Sequence, residues 1–198
     1  MLMFFRTIAV VNSSLLWFGR QLAWVALALM VTVILAQVFF RYVLNNALPW
    51  PDEAASFLML WMTALIAPAA FRTGGFVSIT MLADLIGKRL AQALSCILLA
   101  MSLAVLVVAI EHGQNHTFGF GGKFDSSSLR IPLNWVGGEV VKVKLRYMYG
   151  SLLVCVILMV MVNTELLLRS LASLVRPGLR LPAINAVSYT HLRAHETF

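Results

Sequence analysis

The chain has 198 residues, 61% of them hydrophobic and only 12% charged, where a soluble domain is typically about half apolar and a quarter charged. The excess sits in long runs, so this is an integral membrane protein and not a water-soluble one. The formal charge is +7, but no dense Lys/Arg run and no interleaved aromatic pattern goes with it. The cations are therefore read as anchors of span ends at lipid headgroups, not as a nucleic-acid face.

In chain order, the opening stretch MLMFFRTIAVVNSSLLWFGR has no basic segment ahead of its apolar residues and no A-x-A cleavage site. It is expected to be retained, as an interfacial segment leading into the first span. Four charge-free windows follow: Gln21 to Phe40, Ala54 to Phe71, Leu90 to Ile110 and Tyr147 to Thr164. Each is close to the roughly 20 residues a helix needs to cross about 30 Å of hydrocarbon. None alternates as a barrel strand would, so the expected fold is an all-α membrane protein with four transmembrane helices. Trp17, Trp24, Trp50, Trp135, Tyr42 and Tyr147 fall near the predicted boundaries, as in an aromatic belt.

Between the first two windows, Pro49, Trp50 and Pro51 force a turn. Arg41 closes one helix, and Asp52 and Glu53 open the next. Each charge stands at the helix end where the backbone dipole favours it. Glu53, Phe57 and Trp61 recur at i+4 spacing and form one stripe. Arg41 with Glu53 reads either as an interfacial ion pair or partner contact, or as two independent end charges. Pro68 removes one backbone bond inside the second span.

Gly74 and Gly75 are expected to break the helix after Arg72. Ile79, Leu82, Leu85 and Ile86 then recur at helical spacing, which predicts a short interfacial amphipathic helix between spans two and three, the alternative being a plain N-terminal extension of span three. The long segment from His112 to Arg146 contains a Gly-rich piece that is not a Walker loop, because Phe124 follows Lys123. Within it VVKVKL, Val140 to Leu145, alternates and reads as a short strand or as the lead into span four. Residues 177–198 follow the last helix. The final AVSYTHLRAHETF is polar and unpatterned, and is read as a disordered tail or as sequence foreign to the protein.

Little here suggests chemistry. Cys96 and Cys155 lie in apolar runs with no CxxC or Cys/His cluster, which suits packing residues. His112 and His116 share a helical face beside Glu111, a spacing that suits a metal or a haem. Gly113 interrupts them, and no matching His stands in the other spans, so they read as solvated interfacial residues. A membrane redox module for haem or quinone is the alternative they leave open. No nucleophile–base set, HExxH or dinucleotide fingerprint appears, so neither an enzyme nor a cofactor site is expected. A charge at a span centre costs about 2.5–3.5 kcal/mol on insertion scales, and ion-coupled carriers show Gly/Pro-broken helices at the midplane. Four windows without such a site suit a scaffold better than a conducting path.

The ordered features from Arg41 to Gly74 resemble the small membrane subunit, DctQ-like, of tripartite ATP-independent periplasmic (TRAP) transporters. They are Arg41-Tyr42, Trp50-Pro51-Asp52-Glu53, Trp61, and Arg72-x-Gly74 with Val77 and Ile79. Leu129-Arg130-Ile131-Pro132 and Tyr147-Met148-Tyr149-Gly150 echo the approach to the last span. The departures are Phe76 where the family often has His, Thr80 where it often has an acid, and a longer segment between Pro132 and Tyr147. The resemblance implies an inner-membrane accessory subunit beside a large multi-span permease that carries the substrate and sodium sites. A periplasmic binding protein would deliver an organic acid. Arg41, Glu53, Phe57, Trp61 and Arg72 are the expected partner interface. Lys and Arg slightly favour the side carrying both termini, which points the termini to the cytoplasm.

Overall fold

In the computed structural model, residues 2–131 and 141–175 are described. Four long helices dominate: α1 Leu2–Tyr42, α2 Pro51–Ile86, α3 Lys88–Phe118 and α4 Arg146–Val175. Each contains a stretch long and apolar enough to cross a bilayer, within Arg6–Tyr42, Pro51–Gly74, Arg89–Phe118 and Arg146–Val175. The protein is therefore an all-α integral membrane protein with four spans, as the charge-free windows require.

The helices run past the windows. Arg6 and Arg20 lie inside α1, which is one continuous helix and not an interfacial piece joined to a span. The expected break at Gly74–Gly75 is absent. α2 continues through Ile86, and the separate interfacial helix is instead its extension. A glycine inside a helix costs about 1 kcal/mol relative to alanine, too little to end one whose neighbours support it. The chain breaks at Gly87, whose φ of +85° is open to glycine and strained for other residues. The turn from α1 to α2 uses a second such position, Asn45 at φ +50°, since asparagine tolerates the left-handed region. Pro51 occupies the first turn of α2, where its missing N–H leaves no bond unmade.

α4 packs along α3 and α2, and α1 along α2. Small residues allow the close approach that lipid-embedded helices need. Gly19, Ala23 and Ala26 are buried on α1, and a Cβ on Gly19 would lie 3.5 Å from the Leu65 carbonyl oxygen of α2. A Cβ on Gly113 of α3 would stand 3.3 Å from Leu153 Cδ1 of α4. Leu16, Leu99, Val162 and Leu166 form the apolar core, with Ala69, Phe71 and Leu167 against it.

The segment between α3 and α4 is not a plain loop. A short 3₁₀ turn, Gly121–Lys123, leads into β1, Asp125–Ile131, which pairs antiparallel with β2, Val141–Lys144. The alternation of VVKVKL thus marks a strand, its first residue outside the described range. The tail from residue 176 also lies outside the described residues. The ribbon stands at one end of the bundle with the α1–α2 turn. The start of α1 and the last turns of α4 meet at the other end.

Candidate functional site: polar clasps at the two ends of the bundle

At the ribbon end, Glu53 in the first turn of α2 faces β1. Its Oε2 accepts hydrogen bonds from the Ser128 amide at 2.7 Å, the Leu129 amide at 3.0 Å, Ser127 Oγ at 3.3 Å and Ser128 Oγ. Ser126 Oγ accepts a further bond from the Leu129 amide at 2.9 Å. A ribbon of only two strands is marginal alone. Here one carboxylate oxygen gathers the strand's amides and hydroxyls by charge-assisted bonds, the stronger kind, and ties the ribbon to α2. Beside it, Gln37 Nε2 of α1 donates to Asp52 Oδ1 at 2.8 Å.

The stripe below Glu53 also turns inward. The Phe57 and Trp61 rings lie 6.3 Å apart, and Trp61 Nε1 donates to the Tyr147 carbonyl at 3.1 Å, joining α2 to the start of α4. The Arg41–Glu53 ion pair that the sequence allowed does not form. The Arg41 guanidinium lies 5.9 Å from the centroid of the Tyr42 ring, while Glu53 is turned to the ribbon. Thus Glu53, Phe57 and Trp61 come together on one line of internal contacts, and Arg41 stays exposed at the end of α1.

Arg72 lies at the opposite end, away from the other four expected interface residues. It is buried at 5% exposure and paired with Glu165 of α4, Nη2 to Oε1 at 2.8 Å. Arg169, one helical turn beyond Glu165, donates to the same oxygen from Nε at 3.0 Å. Asn12 Nδ2 of α1 donates to Glu165 Oε2 at 2.8 Å. Arg72 also donates to Ser13 Oγ at 2.8 Å and to the Ala9 carbonyl at 3.3 Å. Glu165 is only 1% exposed. Both its oxygens accept hydrogen bonds, so it ties α1, α2 and α4 together.

Sequence reading missed Glu165, Arg169 and Asn12 as members of this cluster. Glu165 and Arg169 are four apart on one helix, a spacing that could have signalled the pair. Asn12, inside an apolar N-terminal stretch, gave no such sign. α3 is fastened to α4 by weaker polar contacts: Asn163 Nδ2 donates to the Leu99 carbonyl at 3.1 Å, and Cys96 Sγ to Ser170 Oγ at 3.2 Å. His112 and His116 are exposed near the ribbon, the His116 ring 6.0 Å from that of Tyr149.

The family described as the DctQ component of tripartite ATP-independent periplasmic transporters matches residues 30–173. The chain is also similar to the sialic acid TRAP transporter small permease protein SiaQ of Vibrio cholerae, 25% identical over 114 residues that cover 56% of this chain. It spans 63% of the length of that relative. No solved structure matches. The family match runs from within α1 almost to the end of α4 and takes in Glu53, Arg72, Glu165 and Arg169, so the chain belongs to the DctQ family and is a transporter component, not an enzyme.

Proposed function

We propose that this chain is the accessory small subunit of a TRAP-type secondary transporter for organic acid uptake. It scaffolds a large multi-span permease in the inner membrane, and the large subunit supplies the path for the solute. The termini face the cytoplasm and the ribbon faces the periplasm, where a substrate-binding protein docks on the complex. The name of the Vibrio cholerae relative, which specifies sialic acid, supports a sugar acid as the substrate class.

The observation that carries this reading is the closed ion cluster. Among the described residues, the ionised side chains buried in the bundle are Arg72, Glu165 and Arg169. Their carboxylate is engaged at both oxygens, by Arg72 and Arg169 at Oε1 and by Asn12 at Oε2. A carrier needs polar groups that exchange partners during transport, and this cluster holds its helices together instead.

Arg41, exposed beside Tyr42, is a direct contact for the large subunit. Glu53, Phe57 and Trp61 support that interface from within by fixing the ribbon and the start of α4, and Arg72 does so by fixing the other end. Affinity-tagged chain is expected to co-purify with the large permease, and Glu53→Ala or Trp61→Ala to weaken that recovery. Undiminished co-purification and uptake in both variants would remove this interface assignment.

A further inference from the structure

The β1–β2 ribbon sets two cations against each other. Arg130 and Lys142 are opposed register partners, whereas Asp125 opposes Lys144 on the same ribbon. Opposite charges across a strand pair stabilise it, and like charges directly opposed do the reverse. Arg130, Lys142 and Lys144 are all exposed, while Val143 is half-buried and Ser126 buried. The cations therefore occupy the outer face. Among the described residues the ion pairs join Glu165 to Arg72 and Arg169, and Arg130 and Lys142 take part in none. Glu53, the carboxylate that reaches β1, is occupied by Ser127, Ser128 and Leu129.

Lysines on exposed strands commonly guard against edge-to-edge pairing. That explains Lys142 and Lys144, but not an arginine placed opposite one of them. Arg130 also borders an open cleft of about 330 Å³ lined by Pro49, Trp50, Ser127 and Ser128. The serine hydroxyls donate to Glu53, so the groups left to meet an incoming carboxylate-bearing side chain are the indole wall of Trp50 and the guanidinium of Arg130. The groups suited to lipid lie on a different segment: Phe118, Phe120 and Phe124, 70%, 80% and 51% exposed, flank the turn between α3 and β1.

We propose that Arg130 and Lys142, with the cleft beside Trp50, form a docking surface for an acidic face of the transporter's soluble binding component. The proposal rests on the accessory-subunit reading above. The carboxylates of that partner neutralise the opposed cations, so the ribbon's unfavourable charge pair is relieved only in the docked complex.

The test uses the small and large subunits reconstituted together in phosphatidylcholine nanodiscs, titrated with the purified soluble binding component at low and high salt. R130Q/K142Q is expected to weaken binding about tenfold at low salt and to flatten its salt dependence, as removal of rim charges does. R130K/K142R, which keeps both charges, and the single variant Lys142→Gln should fall at and between the limits set by the unchanged chain and the double variant. Unchanged affinity and salt dependence in R130Q/K142Q would overturn the proposal. So would a loss confined to nanodiscs containing phosphatidylglycerol, which would assign the cations to lipid. Failure of the unmodified chain to co-purify with the large subunit would overturn the accessory reading, and this surface with it. Failure of the docking surface alone leaves co-purification intact.

Discussion

Glu165 concentrates the electrostatics of the terminal end in one carboxylate. Removing it leaves the guanidinium groups of Arg72 and Arg169 buried beside each other, and breaking a buried ion pair from one side costs about 3–5 kcal/mol. Glu165→Ala is therefore expected to lower unfolding stability in detergent by an amount in that range. Asn12→Leu loses one hydrogen bond to a charged group, worth about 1.5–3 kcal/mol, and should be the milder change. Denaturation curves for the two variants check the order, and equal stability of Glu165→Ala and the unmodified chain would exclude a structural knot. Of this cluster the sequence singled out Arg72 alone, and for another role. A charged residue at the edge of an apolar window looks like an end marker. Whether it faces water or another helix depends on which helices pack, and spacing along one helix does not carry that information.

At the scale of elements, the ribbon depends on Glu53. The Ser128 and Leu129 amides both point at its Oε2. Glu53→Ala should accelerate their hydrogen exchange by about tenfold, corresponding to about 1.4 kcal/mol for a charge-assisted bond. Exchange at the rate of the unmodified protein would show that the ribbon is held by other means. The α3–α4 contact depends on Gly113 in a different way, through lack of volume. Gly113→Leu puts a branched side chain where a Cβ alone would already sit 3.3 Å from Leu153 Cδ1. Overpacking of this kind costs about 1–3 kcal/mol, read as a drop in the melting temperature of the purified protein. The alternation of VVKVKL made one strand legible. Its partner DSSSLRI was not, because a serine-rich run has little strand preference and gains its place from a carboxylate 75 residues earlier. The two-glycine break failed for a similar reason: local preference at Gly74 and Gly75 is weaker than the continuity of a helix already formed.

For the whole molecule, four spans were legible because a window of about 20 uncharged residues is long enough to be decisive. Helix lengths were not. α1 has 41 residues, about 62 Å at 1.5 Å per residue, twice the hydrocarbon thickness of about 30 Å. Charge-free windows report how much chain can lie in lipid, not where a helix stops. Liposomes containing this chain alone are expected to take up no organic acid above the background of empty vesicles, because the carboxylate buried among its described residues, Glu165, is tied to Arg72, Arg169 and Asn12. Uptake by the isolated chain would place the path here and end the scaffold reading.

The ion pair from Arg72 to Glu165 joins residues 93 positions apart. During synthesis, Arg72 therefore enters the bilayer long before its counter-ion has left the ribosome, and the nascent chain carries an unneutralised guanidinium until the last helix arrives. A chain cut short before Glu165 keeps the first three long helices with that cation still unmet. The contact that fastens the finished bundle thus forms only once α4 is in place.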